Sequence, residues 1–288
     1  MKRVLLLGAG YSARAIARAL PAVTTIQGTT RSREKAAVLR DMGIEPLLHE
    51  AGQGLSEDLH SALESAHAIF VSVAPNASGD PLLQDLEAAS VQLKAASWLC
   101  YLSTVGVYGD HAGAWIDENA ECRPVSDRSR QRLAAEQAWQ TYAMQKKLPL
   151  AILRLAGIYG PGRSALDSLR SGKARRIIKP GQVFNRIHVE DIAGAALHLM
   201  QMRASGVFNV ADDEPAPPQD VIAFAASLLG MAPPPEIPFD EAPLSPLGRS
   251  FYGECKRVSN RHLKGAGYRF AYPDYRAGLK ALFTEEGA

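Results

Sequence analysis

Apolar residues along this chain gather into short runs of strand length, each followed by a helical repeat. Val4 to Leu7 is one such run; Gly8-Ala9-Gly10 follows it, and Ala13, Ala15, Ile16 and Ala17 then repeat at helical spacing. Pro21 helps end that helix. Val23 to Gly28 alternates as a second strand, Ser32 to Met42 reads as a helix before Gly43, and Ile44 to Leu48 is a short third strand. Leu55 to Leu63 is a weakly periodic helix. His67 to Ala74 is a strongly apolar strand stopped by Pro75, Pro81 to Ala96 a long helix, and Trp98 to Ser103 a fifth strand. A helix containing Leu133 to Glu136 leads to a sixth strand, Leu150 to Leu155, which Pro149 precedes. Ile187 to Arg203 is an amphipathic helix, and strand Val207 to Val210 follows it. This βα alternation, with continuous apolar strands, predicts an α/β fold: a doubly wound parallel Rossmann sheet joined by right-handed crossovers.

Beyond residue 211 the pattern changes. Nine of the 18 prolines fall between Pro215 and Pro246, so that region is read as one helix, Pro218 to Leu229, set in extended loops. The aromatics Phe251, Tyr252, Tyr268, Phe270, Tyr272 and Tyr275 are expected to build a small core. The predicted organisation is a dinucleotide-binding domain at 1–155, to which 187–211 returns, and a smaller C-terminal α/β substrate domain made of 156–186 and 212–288.

The first glycine turn carries chemistry. GAGYSA has the GxGxxA spacing in which Gly8 makes the sharp turn, Gly10 lets backbone approach a pyrophosphate, and Ala13 lets the helix pack on the strand. The N–H groups of the helix start, with Tyr11 and Ser12, then face the anion. The end of the second strand reads Thr29-Thr30-Arg31-Ser32-Arg33, with no acid between Val23 and Arg33. An acid here bonds the ribose hydroxyl of NAD, whereas Arg accommodates a 2′-phosphate; Thr30 and Arg31 therefore predict NADP over NAD. The alternative is a solvated basic helix start. Val73 and Ala74, at the carboxyl edge of the sheet, are expected under the cofactor.

With 47% hydrophobic and 22% charged residues and a formal net charge of +2, composition gives no general reason to expect a nucleic acid or membrane partner. Three scattered cysteines lack metal-ligand spacing, so no metal is expected, and a reducing cytoplasm fits. The N-terminal apolar segment is far shorter than a membrane span and lacks a signal-peptide pattern, from which a soluble, unprocessed protein is expected.

Four stretches occur in one order: the glycine turn, STVGVYG at Ser103 to Gly109, ILRLAGIYGPG at Ile152 to Gly162, and RIHVEDIA at Arg186 to Ala193. Together they resemble an extended short-chain dehydrogenase/reductase of the NAD-dependent epimerase/dehydratase group over residues 1 to about 211. The resemblance implies that Thr104 hydrogen-bonds the reacting oxygen, that Ser103, Gly157 and Ile158 touch the cofactor, and that Ala156 to Gly162 covers its nicotinamide side. It also implies a YxxxK pair, and here the chain departs. Arg128 stands at the Tyr position and Arg132 at the Lys position, before the matching LAAE. Arginine is always protonated, so Arg128 is a poor proton donor or acceptor but can clamp an anion, while Arg132 can place charge near the ribose. The chain thus resembles the atypical members that lack the usual tyrosine.

Tyr108, His188 and Tyr252 are the alternative proton carriers by residue type, each with a structural reading beside it: packed aromatic, cleft-wall residue and core of the outer domain. Arg163 to Arg186 holds seven Lys or Arg against one acid, Asp167, whereas Ala204 to Gly248 has seven Asp or Glu and no Lys or Arg. Either the basic stretch attracts an anionic substrate, for which Arg163 and Arg186 beside the family motifs are the candidates, or the two stretches neutralise each other. Two functions follow. One is an NAD(P)-binding oxidoreductase or epimerase/dehydratase-like enzyme acting on a small sugar- or hydroxyacid-like molecule; the other is a non-catalytic NADP-binding sensor or scaffold. The family resemblance also implies a homodimer through the fourth and fifth helices. Leu82, Leu83, Leu86, Leu93, Leu133, Ala134, Ala138 and Trp139 fit that role, and fit inward packing on the sheet equally well.

Overall fold

The computed structural model describes residues 2–286 and divides into two compact units. The first comprises 1–107, 126–154 and 192–208. Strands β1 (Arg3–Leu7), β2 (Thr25–Thr30), β3 (Glu45–Leu48), β4 (Ala68–Val71), β5 (Trp98–Thr104), β6 (Leu150–Leu155) and β7 (Gly206–Val210) form one parallel sheet in the order β7-β6-β5-β4-β1-β2-β3. Helices α1 (Tyr11–Ala19), α2 (Arg33–Asp41), α3 (Glu57–Ser65), α4 (Pro81–Ala88) and α5 (Asp127–Lys146) connect its strands. The predicted doubly wound α/β architecture is the one found.

Central strands bury both faces, which is why they read as unbroken apolar runs. Leu5, Leu7, Ile69, Val71, Leu99, Tyr101 and Ile152 share one cluster with Leu59 and Leu63 of α3, Leu82, Leu83 and Leu86 of α4, and Trp139 of α5. Four of the residues suited to an interface between subunits, Leu82, Leu83, Leu86 and Trp139, thus lie in this core, while Ala134 and Ala138 are exposed. Asp80 caps α4 by accepting from the Leu82 and Leu83 amides, and it also accepts from Trp139 Nε1 at 2.8 Å.

Most element boundaries move by one to three residues, the strand expected over His67–Ala74 ending at Val71, and three differences have a visible cause. Strand β2 is shifted to Thr25–Thr30, because Thr24 closes a turn on Pro21 and Val23 is 72% exposed. Helix α4 stops at Ala88 instead of running to Ala96. Ser90 takes a left-handed φ of 50° and the Val91 amide returns to the Leu86 carbonyl, turning buried Val91 inward. The helix expected from Ile187 starts at Val189, because Arg186–His188 is a strand paired in parallel with Gly157–Tyr159.

Helix α5 is tied to the sheet by a buried charge cluster. Arg154 donates to Glu136 through Nη2 at 2.8 Å, both side chains are under 10% exposed, and the Ser103 hydroxyl donates to the same carboxylate.

The second unit comprises 108–125, 155–191 and 209–288. Besides the strand pair just named, Arg176–Ile178 pairs with Glu236–Pro238 and Trp115–Ile116 with Arg257–Val258. Helices Ala165–Arg170, Pro218–Leu228 and Tyr275–Glu286 share a core of Tyr159, Leu166, Leu169, Val221, Ala225, Tyr275, Leu279 and Leu282. Asp212 is 2% exposed; Oδ1 accepts from the Glu214 amide and Oδ2 has no hydrogen-bond partner. Burial pushes its pKa up to about 8, against the opposing pull of Arg186.

Glu136→Ala is expected to lower stability by about 3–5 kcal/mol, since it leaves the Arg154 charge buried and unpaired; urea unfolding measures it, and a loss under 1 kcal/mol would contradict the buried pair. For Asp212 the folded pKa lies above the unfolded value, so the native state holds a proton that the unfolded chain releases between about pH 4 and 8. Stability from this group therefore falls as pH rises through that window. Asp212→Asn is expected to flatten the fall, its melting temperature gaining on the wild type progressively from pH 5 to 8; a pH-independent difference would contradict the raised pKa.

Candidate functional site

The first unit builds its site where three strand ends converge. Gly8 ends β1 with φ +91°, and a Cβ there would stand 2.9 Å from Ser72 Oγ. No L side chain suits either condition. Its amide donates to Thr29 Oγ1 at 2.7 Å, the Ala9 amide donates to the Thr29 carbonyl, and the Ser72 hydroxyl donates to the Gly8 carbonyl. This network fixes the start of α1. Gly10 is its N-cap and supplies no capping side chain, and a Cβ on Gly10 would meet nothing within 4 Å. An uncapped helix start facing open space suits a pyrophosphate. Tyr11 and Ser12 open α1, and buried Ala13 packs its first turn down. These residues fit a dinucleotide.

Thr30 ends β2 and Arg31 follows it, exposed, before Ser32 caps α2 by accepting from the Lys35 amide. At the end of β4, Val73 is half-buried and Ala74 exposed. Arg132 from α5 reaches the Val73 edge: its Nη1 donates to the Val73 carbonyl at 3.3 Å, the Tyr101 hydroxyl at 3.0 Å and the Leu102 carbonyl at 3.3 Å. Burial pushes the Tyr101 phenol up, and Arg132 pulls it back down.

Thr104 ends β5, half-buried, and its Oγ1 accepts from the Gly106 amide at 3.1 Å. A Cβ on Gly106 would lie 3.1 Å from Ser129 Oγ and 3.4 Å from Thr104 Oγ1, so the absence of a side chain at Gly106 leaves room beside both hydroxyls. Ser129, which the sequence reading passed over, is the neighbour of Arg128, and its Oγ accepts from Ser126 Oγ at 3.0 Å. Arg128 itself is exposed. Ser103 is buried and bonded to Glu136. Gly8, Gly10, Val73, Thr104 and Arg132 thus all belong to strand ends and helix starts of one unit.

In the second unit the candidates are spread. Tyr108 is fully buried and donates to Asn209 Oδ1 at 2.7 Å. His188 is 2% exposed, between the rings of Tyr159 and Tyr272; its Nδ1 accepts from the Glu190 amide, and burial pushes its pKa down, opposed by Glu190 and Asp191. Tyr252 packs against Phe184 and Phe239. Gly157 is exposed and Ile158 half-buried, in the strand that pairs with Arg186–His188. Arg163 and Arg186 line one cavity of about 390 Å³, together with Arg175, which the sequence reading counted only within the basic run. Glu136 and Arg154 were likewise missed; the LAAE signature contained the glutamate, but nothing in sequence paired it with Arg154. Among the described residues there is no group of three potential metal ligands, and no helix is long and apolar enough to cross a membrane.

Comparison with known proteins matches residues 4–211 to the model of the NAD dependent epimerase/dehydratase family. A solved structure of a functionally unknown conserved protein from Silicibacter pomeroyi DSS is 46% identical, with 100% of both chains covered and a TM-score of 0.90. Protein YeeZ of Escherichia coli (strain K12) is 28% identical over 95% of this chain and 97% of its own. UDP-glucuronic acid 4-epimerase from Bacillus cereus, solved in complex with NAD, is 17% identical with a TM-score of 0.77 over 98% and 96% of the two chains, a likeness of fold. The glycine turn, the seven-stranded parallel sheet and the family match agree: the chain belongs to the NAD dependent epimerase/dehydratase family, a family of NAD(P)-binding enzymes.

Proposed function

We propose that this protein is an NADP-dependent oxidoreductase or epimerase/dehydratase-type enzyme acting on a small, anionic, sugar- or hydroxyacid-like substrate. The observation that carries the reading is the edge of the first unit, where Thr104 Oγ1 and the guanidinium of Arg132 are both held by hydrogen bonds to the backbone. Bound NADP supplies hydride acceptance or donation. The chain's own part is positional and electrostatic. Thr104 hydrogen-bonds the reacting oxygen, and Arg132 holds a permanent positive charge beside it, where it stabilises negative charge on an oxygen. Arg31 pairs with the 2′-phosphate, and Gly8, Gly10 and the start of α1 hold the pyrophosphate. The second unit serves as the substrate domain, with Arg163 and Arg186 as anion contacts.

A second reading rests on Arg128. A guanidinium at the Tyr position cannot exchange a proton near neutrality, so a non-catalytic NADP-binding sensor or scaffold is the alternative.

Arg31→Ala is expected to weaken NADPH binding by about 1.5–3 kcal/mol, the worth of a charge-assisted hydrogen bond, with little change for NADH. Calorimetric titration with both nucleotides checks it, and equal losses would reject the 2′-phosphate role. Thr104→Ala is expected to reduce turnover of NADPH with a panel of small carbonyl acids and sugars by about 10²-fold, the scale of one lost oxyanion donor, at unchanged NADPH affinity. Full turnover in that variant would remove Thr104 from the mechanism; absence of turnover in the wild type across the panel would favour the sensor.

A further inference from the structure

Arginine carries its charge on a long, flexible stem, and a fork that is free to rotate presents no fixed edge to a ligand. At position 132 one nitrogen anchors it. Among the described residues Nη1 makes all of the Arg132 hydrogen bonds, to the Val73 carbonyl at 3.3 Å, the Leu102 carbonyl at 3.3 Å and the Tyr101 hydroxyl at 3.0 Å. Nε and Nη2 make none, and the residue is only half-buried. The two carbonyls belong to the backbone at strand ends and are present whatever side chains stand there. Tyr101 supplies the shortest of the three contacts and the one that depends on residue type.

The Tyr101 ring is itself held. It is fully buried on β5 and stacks on Trp139 with centroids 6.0 Å apart. Trp139 Nε1 donates to Asp80 Oδ2 at 2.8 Å, and Asp80 Oδ1 accepts from the Leu82 and Leu83 amides, so that carboxylate is taken up by Trp139 and the start of α4. Arg132 Cζ stands 5.5 Å from the Tyr101 ring centroid, which adds a cation–π contact to the hydrogen bond. Burial pushes the phenol up, so its oxygen is a neutral acceptor that orients the guanidinium without cancelling its charge. A guanidinium anchored through Nη1 keeps the parallel N–H groups of Nε and Nη2 on its other edge, a fork suited to two neighbouring oxygens.

We propose that Tyr101 is a positioning residue for the dinucleotide: it fixes Arg132 at the sheet edge so that the Nε and Nη2 edge is set for a ribose diol. The proposal rests on the reading of the first unit as an NADP site with Arg132 as its charged group near the ribose. NADPH carries one free diol, on its nicotinamide ribose, because the 2′-phosphate occupies the other ribose. Adenosine 2′,5′-bisphosphate carries none.

The test compares the wild type, Tyr101→Phe, Arg132→Gln and the double variant by calorimetric titration with NADPH and with adenosine 2′,5′-bisphosphate. Tyr101→Phe keeps the ring on Trp139 and removes only the hydroxyl. It is expected to weaken NADPH by about 5-fold, the scale of one net hydrogen bond, with adenosine 2′,5′-bisphosphate unchanged. In the Arg132→Gln background the same change is expected to leave NADPH affinity where it was, because no guanidinium remains to be aimed. An equal loss for both nucleotides, or a loss that persists in the Arg132→Gln background, would assign Tyr101 to packing alone and overturn the proposal, as would unchanged NADPH affinity in Tyr101→Phe. Nitrogen-15 NMR of arginine-labelled protein reads the contact without any nucleotide. The wild type is expected to show separate Nη resonances for Arg132, identified by their absence from Arg132→Gln, and Tyr101→Phe is expected to merge them. A wild type that binds neither nucleotide would overturn the NADP reading; the aiming of Arg132 is then upheld by merged resonances and overturned by unaltered ones.

Discussion

At Gly8 the backbone passes so close to the end of β4 that a single added carbon would touch Ser72 Oγ at 2.9 Å. The rest of the first unit's site depends on that approach. Because no side chain intervenes, Ser72 donates to the Gly8 carbonyl, while Thr29 receives the Gly8 amide through its hydroxyl and the Ala9 amide through its carbonyl. The ends of β1, β2 and β4 are therefore one hydrogen-bonded unit, and the first turn of α1 is aimed by it. A left-handed φ costs an ordinary L-residue about 1–2 kcal/mol before any steric conflict is counted. Glycine here removes both costs and keeps the helix start in a fixed place for an anion.

The next constraint is electrostatic and concerns α5. Its first turn carries Arg128 and Arg130, positive residues at the positive end of a helix dipole, where acids are normally preferred. Asp127 offsets part of this by pairing with Arg130 at 2.6 Å, and the Ser126 side chain caps the Ser129 amide. Arg132, one turn along, is held by three oxygens, two of them backbone carbonyls at strand ends. A Lys and Tyr at these positions provide charge and an exchangeable proton; two arginines provide charge alone.

How far the sequence disclosed this follows from what each feature depends on. The sheet was legible because strands such as Leu150–Leu155 are buried on both faces and stay apolar throughout. The start of β2 was misplaced because Val23, apolar in type, sits exposed on a turn. The end of α4 was missed because a serine, not a glycine, takes the left-handed position at Ser90. The glycine turn was legible as a local spacing. Pairings across long separations were not: Glu136 finds Arg154 and Ser103 only through the fold. The two- and three-residue strand pairs of the second unit are too short to leave a period in the sequence.

The opposed charge runs show how one composition serves two ends. Arg176, in the basic run, pairs with Glu236 in the acidic run at 2.8 Å, between strands that already lie side by side. Glu236 is well exposed, so the pair adds little stability; its use is to hold the register of two three-residue strands. Arg175 and Arg186 behave differently, since each donates to two backbone carbonyls. Carbonyls orient a guanidinium without neutralising it. The same basic run thus supplies a cross-strand ion pair at Arg176 and guanidiniums oriented by backbone carbonyls at Arg175 and Arg186.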